Sequence, residues 1–189
     1  MKRLAAIGLL LCAPGFAQLP ALRVYSEFQR IDPWGGVVAA DRARDVEPRE
    51  ILSPGLVRNS WASYHVAVTV PPGRWFTLYV GQNPEGFLGV SVCREIFVRR
   101  GEQWIPDGLE AVELPYTGRL PDPASPIPGQ TTVVFLMDLK VPFDAAVRRT
   151  KLEPQLYVDG QWVTYPMEVR ILPPIVRGEM ICSIAVTEA

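Results

Sequence analysis

The clearest pattern in the chain is an alternation of apolar and polar side chains that begins at Tyr64. Tyr64, Val66, Val68 and Val70 fall on one face of this segment, and His65 falls on the other. A repeat of two residues is typical of a β-strand with one face in a core. The pattern therefore predicts a strand with His65, the only histidine, on its outer face. There we interpret His65 as a surface or cross-strand hydrogen-bonding residue.

The same period recurs in several later segments, and turn-forming residues separate them. Asp159-Gly160 stands between two short apolar segments, which is a strong signal for a hairpin with a type I′ turn. The best helical candidate, residues 145–151, is barely two turns long. The predicted strands cover residues 21–28, 64–70, 76–80, 88–98, 131–141, 156–158, 162–171 and 181–186.

These elements predict an all-β protein. We expect a single β-sandwich, immunoglobulin-like in general architecture, with about eight strands and long proline-rich loops. It would occupy residues 18–189, with an irregular covering loop at 30–60 and a proline-rich connection at 120–130. The 19 prolines and 15 glycines suit many short elements joined by turns.

The N-terminal residues resemble a secretory signal peptide. Lys2 and Arg3 precede an apolar stretch that is too short to span a membrane, and small residues at Gly15 and Ala17 suit cleavage after Ala17. We therefore expect residues 1–17 to be removed and the mature chain, without a membrane span, to be periplasmic or extracellular.

Two cysteines, Cys93 and Cys182, follow the predicted cleavage site. In an oxidising compartment such a pair invites a disulfide. The strand phase argues against it, because Cys182 shares the apolar phase of its segment whereas Cys93 shares the outward phase of its own. A β-bulge would reverse that phase, so both states of the pair stay open.

Residue types and spacing exclude several functions. The net charge of −1 gives no electrostatic footprint for nucleic acid. One histidine and no paired-cysteine motif leave no metal site or cofactor to predict. No nucleophile elbow or phosphate-binding glycine loop is present, so we expect no catalytic residues and no enzymatic activity.

Aromatic placement is the most informative remaining feature. Trp75 and Tyr79 share the outward phase of their strand, where they could stack on a sugar ring or anchor a protein interface. Alternatively, long loops cover the sheet faces and these aromatics fill a second layer.

Three functions follow from these features. The leading hypothesis is an exported non-catalytic module that binds or assembles with another envelope or extracellular protein. The second is a carbohydrate-binding module that uses Trp75 and Tyr79. The third, and weakest, is a hydrolase that uses two carboxylates, of which the sequence picks out no pair.

Overall fold

The computed structural model describes residues 19–42 and 49–177 and shows a β-sandwich of two packed sheets. Beside the strands, one short 3-10 helix covers Ala39–Asp41. The strands are β1 Ala21–Ser26, β2 Gly55–Arg58, β3 Ser60–Thr69, β4 Trp75–Asn83, β5 Gly89–Arg100, β6 Gln103–Val112, β7 Tyr116–Arg119, β8 Thr132–Val141, β9 Arg149–Val158, β10 Gln161–Thr164 and β11 Met167–Ile175.

The first sheet has five strands in the order β1-β3-β8-β5-β6. The second has six, in the order β2-β11-β9-β4-β7, with β10 paired to β9. Neighbouring strands are antiparallel except β2 and β11, which run parallel. The inner faces of the two sheets bury one continuous core, which includes the predicted inward row of Tyr64, Val66, Val68 and Val70.

The all-β sandwich predicted from the sequence is confirmed. The described residues form eleven strands rather than about eight. β2 and β7 were missed because four residues are too few to show a period. The ten-residue β6 was missed because it contains Pro106 and Gly108 and buries no side chain fully, so it has no clear apolar face. β2 lies inside the region predicted to be irregular, residues 30–60. The best helical candidate, residues 145–151, forms no helix, because β9 begins at Arg149 and pairs with β4 and β11.

The hairpin at Asp159-Gly160 is confirmed. Both residues have positive φ, 50° and 83°, and Val158 pairs with Gln161. β10 and β11 then lie on the same side of β9, separated at Tyr165 and Pro166. The segment predicted as the last strand, residues 181–186, lies outside the described residues, as do the predicted signal peptide and Cys182. Within the described ranges no helix is long and apolar enough to cross a membrane.

Candidate functional site

The outer face of the six-stranded sheet carries a group of exposed aromatic side chains. We call Trp75, Tyr79, Tyr157 and Trp162 the aromatic face. Their exposed fractions are 62%, 36%, 39% and 58%. Their neighbours Phe76, Leu78 and Val158 point to the opposite side, into the core, as the two-residue period requires.

Strand register brings these side chains into rows across the sheet. Trp162 pairs with Tyr157, Tyr157 with Thr77, and Thr77 with Thr117, so one row crosses four strands. The rings of Tyr157 and Trp162 have centroids 5.0 Å apart and an interplanar angle of 48°. The hydroxyls of Thr77 and Thr117 are 3.1 Å apart. The row therefore joins two aromatic rings to two hydroxyl groups.

The rows on either side of this one add an aromatic ring each, paired with a guanidinium or an amide group. Trp75 pairs with Arg119, whose guanidinium carbon lies 5.5 Å from the centre of the indole ring. On the other side Tyr79 pairs with Gln155. Trp75 and Tyr79 are four residues apart on β4, which is about 13 Å along the strand. The two aromatics predicted from the sequence thus stand at opposite ends of one exposed face.

The outer face of the five-stranded sheet is different, because loops cover it. Ile31 and Val37 from the segment after β1, and Ile127 from the connection before β8, pack on outward residues of the sheet. Phe97 and Val134 are among those outward residues. The second layer considered in the sequence analysis exists, but it lies on the sheet opposite Trp75 and Tyr79.

His65 lies beneath this cover. It occupies the outer face of β3 as predicted. Of the two roles expected for it, cross-strand hydrogen bonding is the one observed, because it binds Glu95 on β5, and exposure at the surface is wrong, because it is only 6% exposed. Nδ1 is 2.5 Å from Oε1 of Glu95, and Nε2 is 3.1 Å from the backbone oxygen of Glu27. Glu95 is itself 4% exposed, and its Oε2 has no hydrogen-bond partner in the part of the chain that the structure describes.

The protonation of this pair follows from its partners. A carbonyl oxygen only accepts hydrogen bonds, so Nε2 carries a hydrogen and donates it to Glu27. Burial lowers the pKa of His65, but Glu95, the Glu27 carbonyl and the charge of Asp41 together raise it above its ordinary value. The site therefore favours the imidazolium form of His65, in which Nδ1 donates a hydrogen bond to Oε1 of Glu95.

A cleft opens where the five-stranded sheet divides. β5 pairs with β8 only as far as Arg94, which faces Phe135, and beyond that point β5 pairs with β6 alone. The cleft has a volume of about 250 Å³. Trp75, Arg119 and Ser125 are exposed members of its lining, whereas Glu95 and Gln130 are buried ones.

Arg94 ties the cleft wall together. Its guanidinium contacts Oδ2 of Asp122 from the proline-rich connection and Oε2 of Glu110 on β6. In the sequence Arg94 stands between Val92 and Ile96 in the two-residue pattern, which gives no signal for this pair of ion pairs. Two carboxylates, Glu95 and Asp122, line the cleft, and each is already bound to a cation. No cluster of three or more histidine, cysteine, aspartate or glutamate side chains suited to a metal ion occurs in residues 19–42 and 49–177.

Cys93 lies on the outer face of β5, opposite Leu136 and Ala111. This agrees with the outward phase predicted for it. Burial and the charge of Asp138 raise the pKa of its thiol. Because Cys182 lies outside the described residues, their disulfide stays a prediction.

Comparison with known proteins gives no family assignment. No family model and no curated protein matches the chain. Among solved structures 28 chains match. One is a family 123 glycoside hydrolase from Clostridium perfringens, described in connection with glycolipid glycan hydrolysis. It has a TM-score of 0.49 and 7% identity over 83% of this chain and 28% of that chain. This similarity is too low to assign a function.

Proposed function

We propose that the protein is an exported, non-catalytic β-sandwich module that binds a carbohydrate on its aromatic face. The observation that carries the proposal is the exposure of Trp75, Tyr79, Tyr157 and Trp162 together on one sheet surface. The negative π face of an aromatic ring attracts the partly positive C–H groups on the apolar side of a sugar ring. A soluble monomer gains nothing in stability from leaving four such rings in water.

Polar groups between the rings suit the same ligand. The hydroxyls of Thr77 and Thr117, the amide of Gln155 and the guanidinium of Arg119 stand beside the aromatic side chains in the register of the sheet. Binding sites for small ligands combine apolar contact with a few placed polar groups that fix orientation. Sugars present both surfaces, an apolar ring face and a rim of hydroxyls.

A protein partner, the leading hypothesis from the sequence, is the second candidate. Tyrosine, tryptophan and arginine are enriched at protein interfaces, and the aromatic face carries all three types with Arg119. Addition of a partner strand is disfavoured at the β6 and β7 edges, because β7 has only four residues and β6 contains Pro106 and a register shift beside it. Our second candidate therefore places a protein partner on the aromatic face.

The test is binding of the purified protein to a glycan array and to insoluble polysaccharides. We expect the double variant Trp75→Ala/Tyr79→Ala, and separately Trp162→Ala, to lose at least about tenfold in affinity. Trp61→Ala is the matched control. Trp61 is an exposed tryptophan on the other sheet, with the Lys140 ammonium 5.4 Å from its ring centre.

The control variant should bind like the wild type, and all variants should keep the wild-type unfolding midpoint within a few degrees. Unchanged glycan binding by both aromatic-face variants would contradict the proposal. If the wild type binds no glycan but retains one stoichiometric envelope protein, and the aromatic-face variants release it, the second candidate replaces the first.

A further inference from the structure

We propose that the cleft beside Trp75 receives the terminal sugar unit of a glycan chain whose other units lie on the aromatic face. This inference rests on the proposed function and specifies its ligand. Trp75 and Arg119 belong to both surfaces: they stand on the outer face of the six-stranded sheet and they line the cleft. The two surfaces are therefore continuous.

The volume of the cleft suits a single sugar ring. Its volume of about 250 Å³ lies below the range of about 300–1,000 Å³ found for pockets that hold drug-sized ligands. Four of its lining residues, Glu95, Phe97, Gln130 and Val133, are buried and form its floor. We therefore assign the cleft to the end of a glycan chain, with the preceding units on the aromatic face.

Gly118 lets two aromatic rings pack closely against the backbone in the cleft wall. A Cβ atom at this position would lie 2.9 Å from both Phe76 Cζ and Tyr116 Cε1. Phe76, Tyr116 and Gly118 all line the cleft. The wall beside Trp75 is therefore formed by two aromatic rings packed against bare backbone.

The charges of the cleft favour a neutral sugar. Arg94 binds Asp122 and Glu110, His65 binds Glu95, and Arg119 lies over the ring of Trp75. The three cationic groups and the three carboxylates named here balance, so the cleft has no net charge that would attract a charged ligand strongly. The guanidinium and carboxylate groups of the cleft still offer hydrogen-bond donors and acceptors to the hydroxyls of a neutral sugar.

The experiment obstructs the cleft and leaves the aromatic face intact. Ser125 is exposed and lines the cleft, whereas its exposed neighbour Ala124 does not. Ser125→Trp should fill the mouth, and Ala124→Trp is the matched control for adding the same bulk to the same loop. Both, with Trp162→Ala and the wild type, are assayed on an array of oligosaccharides that share a backbone but differ in their terminal unit, neutral or acidic.

We expect wild-type binding to change at least about tenfold with the terminal unit and to favour neutral ends. Ser125→Trp should lose that preference and at least about tenfold in affinity, while Ala124→Trp stays within about twofold of the wild type. If Ser125→Trp binds like the wild type while Trp162→Ala loses binding, the inference is overturned and the proposed function stands. Binding restricted to acidic ends would also overturn it. If Trp162→Ala and Ser125→Trp both bind like the wild type, the role of the aromatic face itself fails.

Discussion

His65 lies buried on the outer face of the five-stranded sheet, in contact with Glu95 and with the backbone oxygen of Glu27. The alternation in β3 correctly put it on the outer face, but alternation carries no information on what covers that face. The cover comes from a segment that ends more than twenty residues before His65 and from Glu95 on β5. A signal for it does exist in β8, where Val133, Val134, Phe135, Leu136 and Met137 are all apolar. Such a run is typical of a strand buried on both faces.

The buried pair predicts a particular dependence of stability on pH. The pKa of His65 is higher in the folded state than in the unfolded chain, where it is about 6.5. Its contribution is therefore fully present below that value and is lost as the pH rises through the raised folded pKa. Chemical denaturation of the wild type should show this loss when it is measured from about pH 5.5, below the unfolded pKa, to about pH 9.

His65→Ala supplies the reference for that measurement. It leaves the Glu95 carboxylate buried without its cation, which should cost about 3–5 kcal/mol at the acid end of the range. The difference in free energy of unfolding between wild type and variant should then shrink toward high pH. The double variant His65→Phe/Glu95→Leu removes both charges and should recover part of the stability. A constant difference across the range would contradict the assignment of an imidazolium.

At the scale of elements, local signals were sufficient for some features of the candidate site and insufficient for others. The two-residue turn at Asp159-Gly160 fixes the register of β9 and β10, so the contact of Tyr157 with Trp162 is a consequence of a local signal. The contacts of Trp75 do not follow from any local signal. They depend on the pairing of β4 with β7 and β9, which are distant in sequence, and four-residue β7 shows no period at all.

The close packing of β4 on β7 makes Gly118 a sensitive position. The added methyl of Gly118→Ala would lie 2.9 Å from the side chains of Phe76, which is buried, and Tyr116. Because this is too close, the two rings or the strand backbone would have to move. We expect a loss of about 1–3 kcal/mol in the free energy of unfolding, as for other overpacked sites. Gly108→Ala is the matched control within a strand, because its nearest contact, Ile96 Cβ, is at an ordinary 3.4 Å. Equal unfolding midpoints for the two variants would contradict this, because they would show that β4 and β7 accommodate the methyl group at no cost in stability.

At the scale of the whole molecule, the two outer faces of the sandwich have opposite solvent exposure. The five-stranded sheet is covered by the segment after β1 and by the proline-rich connection, with a small apolar cluster beneath them. The six-stranded sheet has no such cover among the described residues, and it exposes the four aromatic side chains of the aromatic face together, whereas Trp61 is exposed on the other sheet. The cleft lies between these two environments, since its lining takes residues from both sheets and from the connection.

This asymmetry predicts that the cover can be loosened without disturbing the aromatic face. Ile31 is fully buried in the small cluster, and its side chain anchors the segment that also supplies the Glu27 carbonyl to His65. Ile31→Ala should lower the free energy that holds this segment against the five-stranded sheet by about 2–5 kcal/mol. Much of that cost should appear as local opening, because the segment packs on the sheet from outside the main core.

Hydrogen exchange by mass spectrometry measures this opening directly. Amides of residues 27–42 should exchange at least about tenfold faster in Ile31→Ala, whereas those of β4 and β9 keep their wild-type rates. Phe28→Ala removes an exposed side chain from the same segment and should change neither. Glycan binding that requires Trp162 should be the same in all three proteins. Faster exchange spread evenly over β4 and β9 would mean that the cover and the main core unfold as one unit, and that the aromatic face depends on the layer behind it.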